Sequence, residues 1–138
     1  MRKPVVQIDG MGCGVACLAF TLNVPYVHAL KLLKSNRAQA SSKGFYCRDL
    51  VAALLRAKQA YEYKHIQTVN RRRIYKDGVI VFIKRSKRYP AGHYLCRYKN
   101  FWMDSWMNFP ENQNIKNAKA GFRKRLPAKP ICAMWPIS

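Results

Sequence analysis

Met11-Gly12-Cys13-Gly14-Val15-Ala16-Cys17-Leu18-Ala19-Phe20-Thr21-Leu22 is the stretch from which the rest of the chain is read. From Cys13 onward its apolar residues cover most of a helix's circumference, which predicts a buried helix from Cys13 to about Leu22. An extended lead-in and loop, Met1 to Gly12, precedes it, and Gly10 and Gly12 allow unusual backbone angles there. Cys13 therefore stands where a glycine-containing loop becomes a helix. Such an end leaves backbone N–H groups free and carries partial positive charge. A cysteine thiolate is stabilised in that position, and the thiolate rather than the thiol is the nucleophile.

Downstream, Pro25 starts a second predicted helix running to about Lys34, with Val27, Leu30, Leu33 and nearby Ala29 at helical spacing. Ser35 to Gly44 reads as a polar loop. A third helix is expected from about Tyr46 to Lys58, with Leu50, Ala53, Leu54 and Ala57 on its core face and Arg56 and Lys58 at its C-terminal end. The character then changes to strands. Ala60 to Ile66 alternates, with Tyr61, Tyr63 and His65 on one face. Residues 69–77 form a basic connection ending in an Asp77-Gly78 turn. Gly78-Val79-Ile80-Val81-Phe82-Ile83 has the β-branched character of a central strand. Gly92 to Tyr98 and Phe101 to Trp106 form a hairpin about Lys99-Asn100, a polar stretch covers Asn108 to Asn117, and Pro130 to Trp135 offers a last strand. Helices first and antiparallel strands afterwards define an α+β class in one domain spanning 1–138.

Composition narrows the function. Of 138 residues, 49% are apolar, enough for a core. No uninterrupted apolar stretch has membrane-spanning length, and the basic N-terminus is followed by too short an apolar segment for a secretory signal. The expectation is a cytoplasmic protein, or one exported without a Sec-type signal. Five cysteines, an odd number, show no small-domain disulfide spacing and read as reduced thiols, with Cys17, Cys47, Cys96 and Cys132 as packing residues. No cofactor or metal is expected. Cys13, Cys17 and His93 lack the second ligand pair of a structural zinc site. Lys and Arg number 26 against 6 Asp and Glu, a net charge of +20 that attracts nucleic acid, an anionic membrane surface or an acidic protein substrate.

A chemical constellation surrounds Cys13. Gln7, six residues upstream, offers a side-chain amide as an oxyanion donor beside the helix N–H groups. Of three histidines, His28 falls inside a helix and His65 in a strand of mixed face. His93 follows Pro90-Ala91-Gly92 at a strand start and is the natural base. A two-residue turn at Lys99-Asn100 puts Asp104 opposite His93, Tyr94 or Leu95, where cross-strand Cβ atoms lie roughly 5 Å apart. A carboxylate there can accept the imidazole N–H and fix its tautomer.

Gln7-x-Asp9-x3-Cys13-Gly14-x-Ala16-Cys17-Leu18-Ala19, then Gly92-His93-Tyr94-Leu95 and Asp104-Ser105-Trp106, resembles the bacteriocin-processing, double-glycine leader peptidases, cysteine peptidase family thirty-nine of the papain superfamily. The resemblance implies a papain-like fold, helices carrying the cysteine packed on an antiparallel sheet carrying His and Asp. It also implies Cys13 as nucleophile, His93 as base, Asp104 as its orienter, Gln7 in the oxyanion hole, and cleavage after small residues of Gly-Gly type. The chain departs from the family at Gly12, where an acid often stands, and at Ser105, where proline is frequent.

The basic clusters are Arg71-Arg72-Arg73, Lys84-Arg85-Ser86-Lys87-Arg88 and Arg123-Lys124-Arg125. Lys84, Arg85, Lys87 and Arg88 lie shortly before His93, so they are expected to rim the cleft and contact acidic or phosphate-bearing substrate. Trp102, Trp106, Tyr94 and Tyr98 read as core aromatics. Two alternatives stay open at this level. One is another thiol acyl transfer on the same residues: deamidation, transglutamination or removal of a ubiquitin-like tag. The other is a non-catalytic, nucleic-acid-binding module on the same frame.

Overall fold

The structure, a computed structural model, describes residues 1–34 and 37–137. Four helices come first: α1 Cys13–Leu22, α2 Tyr26–Leu32, α3 Arg37–Ser42 and α4 Cys47–Arg56. Six strands follow: β1 Tyr61–His65, β2 Ile80–Ile83, β3 His93–Tyr98, β4 Phe101–Asp104, β5 Gly121–Arg123 and β6 Pro130–Pro136. They form one antiparallel sheet in the order β1-β6-β2-β3-β4-β5. The arrangement is the expected α+β one.

Helix α1 is sealed all round, with Gly14 to Phe20 buried. Asn23 ends it in the left-handed conformation, its N–H reaching back to the carbonyls of Ala19 and Phe20, and Pro25 caps α2. The helix lies against β3, and α4 lies against β1. Alternation along the central strands divides the interior in two. Ile80, Tyr94, Cys96, Met103 and Met134 face the helices, and Val81, Leu95, Trp102, Ala133 and Trp135 fill a second core on the other side. Burial on both faces explains why β2 reads as an unbroken apolar run. No single helix among the described residues is long and apolar enough to cross a membrane.

Three expectations need correction. The loop expected over Ser35 to Gly44 contains α3, with Ser35 itself outside the described residues. Ala40 of α3 is fully buried and accepts from the Met11 N–H at 2.8 Å, so tertiary docking settles a short segment that polarity had marked as loop. Val27 is exposed, and Tyr26, Ala29 and Leu30 supply the buried face of α2. The stretch after Asn117, which had no assigned element, carries β5. Its three half-buried residues pair with β4, Trp102 facing Arg123 and Asp104 facing Gly121, so Arg123 belongs to the sheet rather than to a solvated basic cluster.

Gly92, immediately before His93, has φ +73°, and a Cβ there would strike the Phe82 ring. Gly92→Ala is expected to lower unfolding free energy by about 1–3 kcal/mol. Gly10→Ala, where the nearest atom lies 3.7 Å from an added Cβ, should cost far less. Urea unfolding of both proteins checks the contrast, and equal losses would remove this account of Gly92.

Candidate active site

The loop before α1 is pinned by a buried acid. Asp9 accepts from the Tyr26 hydroxyl at 2.9 Å, and Arg37 Nε and Nη2 each reach it at 3.0 Å. Gly12 packs so closely beneath Tyr26 that any Cβ would collide with its hydroxyl, which explains why no side chain stands immediately before Cys13. Gly12 makes no side-chain cap hydrogen bond to α1, so the N-cap position leaves the first-turn N–H groups around Cys13 open.

Across the groove, β3 and β4 meet in the register of a two-residue turn, Tyr98 facing Phe101 and Cys96 facing Met103. Continuing that register one step sets Asp104 opposite Leu95 and diagonal to His93. The diagonal is closed by a hydrogen bond, His93 Nε2 to Asp104 Oδ1 at 2.7 Å, with both side chains buried. Nε2 is thus occupied, and Nδ1 is the ring nitrogen left for Cys13. Tyr89 stacks on the imidazole at 5.3 Å between centroids.

Burial disfavours a charged imidazole, but the hydrogen bonds to Asp104 and toward Cys13 outweigh it and push the His93 pKa up to about 10. Burial likewise disfavours the Asp104 carboxylate. The bonds from His93 and Arg123 and from the Trp106 N–H overcome it, lowering the pKa to about 2. The pair is therefore ionic at neutral pH.

Gln7 is buried beside this pair. Its carbonyl accepts from the Ser105 hydroxyl at 2.8 Å, and its backbone N–H donates to the Ser105 carbonyl at 3.2 Å. Its side-chain amide donates to the carbonyls of Asp9 and Gly10 at 3.1 and 3.2 Å. Gln7, Cys13 and His93 line one groove of about 690 Å³, walled by Phe45, Phe82, Tyr89, Tyr94 and Trp106. Asp104 sits behind His93, fully buried.

The basic segment before His93 contributes less than expected. Lys84, Arg85, Lys87 and Arg88 are all exposed, but only Arg85 lines the groove. Arg88 turns to Glu111 at 3.2 Å. A second lining cation is Lys43, after α3, and among the described residues no carboxylate lines the groove. Sequence reasoning missed Lys43, Arg123 and Ser105. Arg123 Nε donates to Asp104 Oδ2 at 2.7 Å. Cys47 also reaches the groove, its sulfur 3.4 Å from that of Cys132. Among the described residues no group of three His, Cys, Asp or Glu side chains is placed to hold a metal ion.

No family model and no curated protein sequence matches the chain. In three dimensions it is similar, end to end, to the peptidase domain of Streptococcus ComA, a bi-functional ABC transporter involved in a quorum-sensing pathway. The TM-score is 0.56 at 17% identity, covering 99% of this chain and 98% of that one. The likeness establishes the papain-like α+β fold. It covers all the elements that carry Gln7, Cys13, His93 and Asp104.

The ionic pair makes stability depend on pH. The raised His93 pKa contributes stability that is full below its ordinary value of 6.5 and is lost as pH rises through about 10. The lowered Asp104 pKa contributes stability above 3.8 that is lost as pH falls through about 2. Urea midpoints should fall between about pH 6 and pH 10, and fall less in His93→Gln. The same decline in both proteins would show that other groups set it.

Proposed function

We propose that the protein is a cysteine peptidase that cleaves a peptide bond through an acyl-enzyme on Cys13. The observation that carries the reading is the buried His93–Asp104 pair at 2.7 Å, opening on the same groove as a cysteine at a helix N-terminus. An imidazolium beside the sulfur and the α1 N-terminus behind it both favour thiolate. The thiolate attacks the carbonyl carbon, forming a C–S bond and moving the carbonyl π electrons onto oxygen. That oxyanion is met by the Cys13 N–H and the Gln7 amide, which exchanges one of its two long bonds to backbone carbonyls for it. Collapse breaks the C–N bond, and the leaving amine takes the His93 proton. Water then attacks the thioester, neutral His93 accepts its proton, and the acid and free enzyme are released.

The substrate reading rests on two supports. The resemblance to bacteriocin-processing peptidases, and a fold shared with the peptidase domain of a quorum-sensing transporter, favour a leader-type peptide with Gly-Gly-like residues before the scissile bond. Lys43 and Arg85 on an otherwise apolar groove favour acidic residues along that peptide. Neither the site nor the structural likeness carries the nucleic-acid expectation.

Site-resolved iodoacetamide labelling across pH tests the thiol chemistry without a known substrate. Cys132 is the internal reference, because the hydrogen bond from Cys47 lowers its pKa to about 7. Cys13 is expected to label at acidic pH and to lose this in His93→Ala, while Cys132 keeps its profile. Cleavage of Gly-Gly peptides should vanish in Cys13→Ala and fall by about 10²-fold or more in Asp104→Asn. Cys13 labelling indifferent to His93, or full cleavage by Cys13→Ala, would end the peptidase reading.

A further inference from the structure

Arg123 differs from the other basic residues near the groove in what it touches. It sits on β5, and its Nε donates to Oδ2 of a carboxylate with no solvent exposure. Its Nη2 donates to the Met107 carbonyl at 3.3 Å, which ties the other arm of the guanidinium to the turn after β4. The two carboxylate oxygens divide their partners. Oδ1 accepts from His93 at 2.7 Å and from the Trp106 N–H at 2.9 Å, and Oδ2 accepts from Arg123. The charged or titratable groups facing Asp104 are His93 from β3, Arg123 from β5 and Cys17 from α1, with Cys13 on the other side of His93. Cys17 stays neutral because burial pushes its thiol up, and Tyr89 stacks behind His93.

We infer that Arg123 is a positioning residue of the catalytic pair, holding the Asp104 carboxylate ionised and aimed at His93 while the imidazole is neutral. This rests on the peptidase reading and adds a component to it. In the resting site Asp104 has two cations. Once His93 gives its proton to the leaving amine, one of them is gone. A fully buried carboxylate without a cation takes up a proton. A protonated Asp104 cannot stabilise the imidazolium that must form again when water attacks the thioester. Arg123 supplies a charge that does not titrate, because a guanidinium stays protonated throughout the working range of pH. Its fork also fixes direction, with one nitrogen on the acid and another on the turn that follows it.

The test is the pH profile of Cys13 alkylation in wild type, Arg123→Lys and Arg123→Gln, with Cys17 and Cys96, both buried, as reporters of folding. Glutamine keeps a donor and removes the charge, and lysine keeps the charge. Loss of the charge weakens the field that holds Asp104 and the thiolate ionised. The acid limb of Arg123→Gln is therefore expected to move to higher pH by about one unit or more, with Arg123→Lys close to wild type. Superimposable profiles in all three proteins, or equal shifts in the lysine and glutamine variants, would overturn the inference. Should Arg123→Gln expose Cys17 to alkylation, Arg123→Lys decides alone: a wild-type acid limb supports the charge role and a shifted one overturns it. The two readings fail separately. Cys13 labelling that ignores His93→Ala removes the peptidase, whereas labelling that depends on His93 but ignores Arg123 removes only the positioning role.

Discussion

Burying a carboxylate completely is costly unless every oxygen finds a donor and the charge finds a partner. Asp104 meets both conditions with three donors from three different places: the His93 ring on β3, the Arg123 guanidinium on β5 and the Trp106 N–H in the turn after β4. The site depends on this one satisfied acid. It fixes which ring nitrogen of His93 is taken and so which is left for Cys13. It also ties β5 to the site, since that short strand, packed on the core through Phe122, delivers the arginine that neutralises the acid.

The same economy of acids shapes the whole surface. All six carboxylates are engaged: Asp9 with Tyr26 and Arg37, Asp49 with the Tyr46 N–H at the start of α4, and Glu62 with the Trp135 indole. Asp77 takes the Lys99 N–H, Asp104 takes His93 and Arg123, and Glu111 takes Arg88. Each holds a loop, a cap or the site, and none remains to balance the rest of the 26 cations. The positive field is therefore the residue of a chain that keeps acids only where structure uses them. Where it reaches the groove, it does so through Arg85 and Lys43 against apolar walls. That combination suits an extended peptide carrying both apolar and acidic side chains better than a bare polyanion.

Local physics made much of this legible in the sequence. Buried α1 could be read because its apolar residues leave no polar face, and the β3–β4 hairpin because two-residue turns fix register. That register alone brought Asp104 within reach of His93. What escaped reading depends on contacts distant in sequence. Nothing in Gly121-Phe122-Arg123 marks a strand, since three residues carry no periodicity and the pairing comes from β4. Arg123, beside Lys124 and Arg125, looks like any basic surface run until a buried acid nineteen positions away claims it. Likewise α3 is too short to form on propensity and is held by docking against the Met11 loop.

Ser105 shows how tightly the two halves of the groove are joined. Asp104 and Ser105 are consecutive at the end of β4, so their side chains leave the backbone in opposite directions. Asp104 turns to His93 on the sheet. Ser105 turns to Gln7 in the loop that leads to Cys13, its hydroxyl donating to the Gln7 side-chain carbonyl oxygen and its backbone carbonyl accepting from the Gln7 backbone N–H. Proline at this position would have no hydroxyl to give. The serine's hydrogen bond fixes which end of the Gln7 amide faces the loop carbonyls and hence which end is able to donate. In the proposed chemistry, one strand end thereby orients both the base and the oxyanion donor. Because β5 holds that strand end through Arg123, a displacement of β5 would disturb proton transfer and charge stabilisation together rather than one at a time.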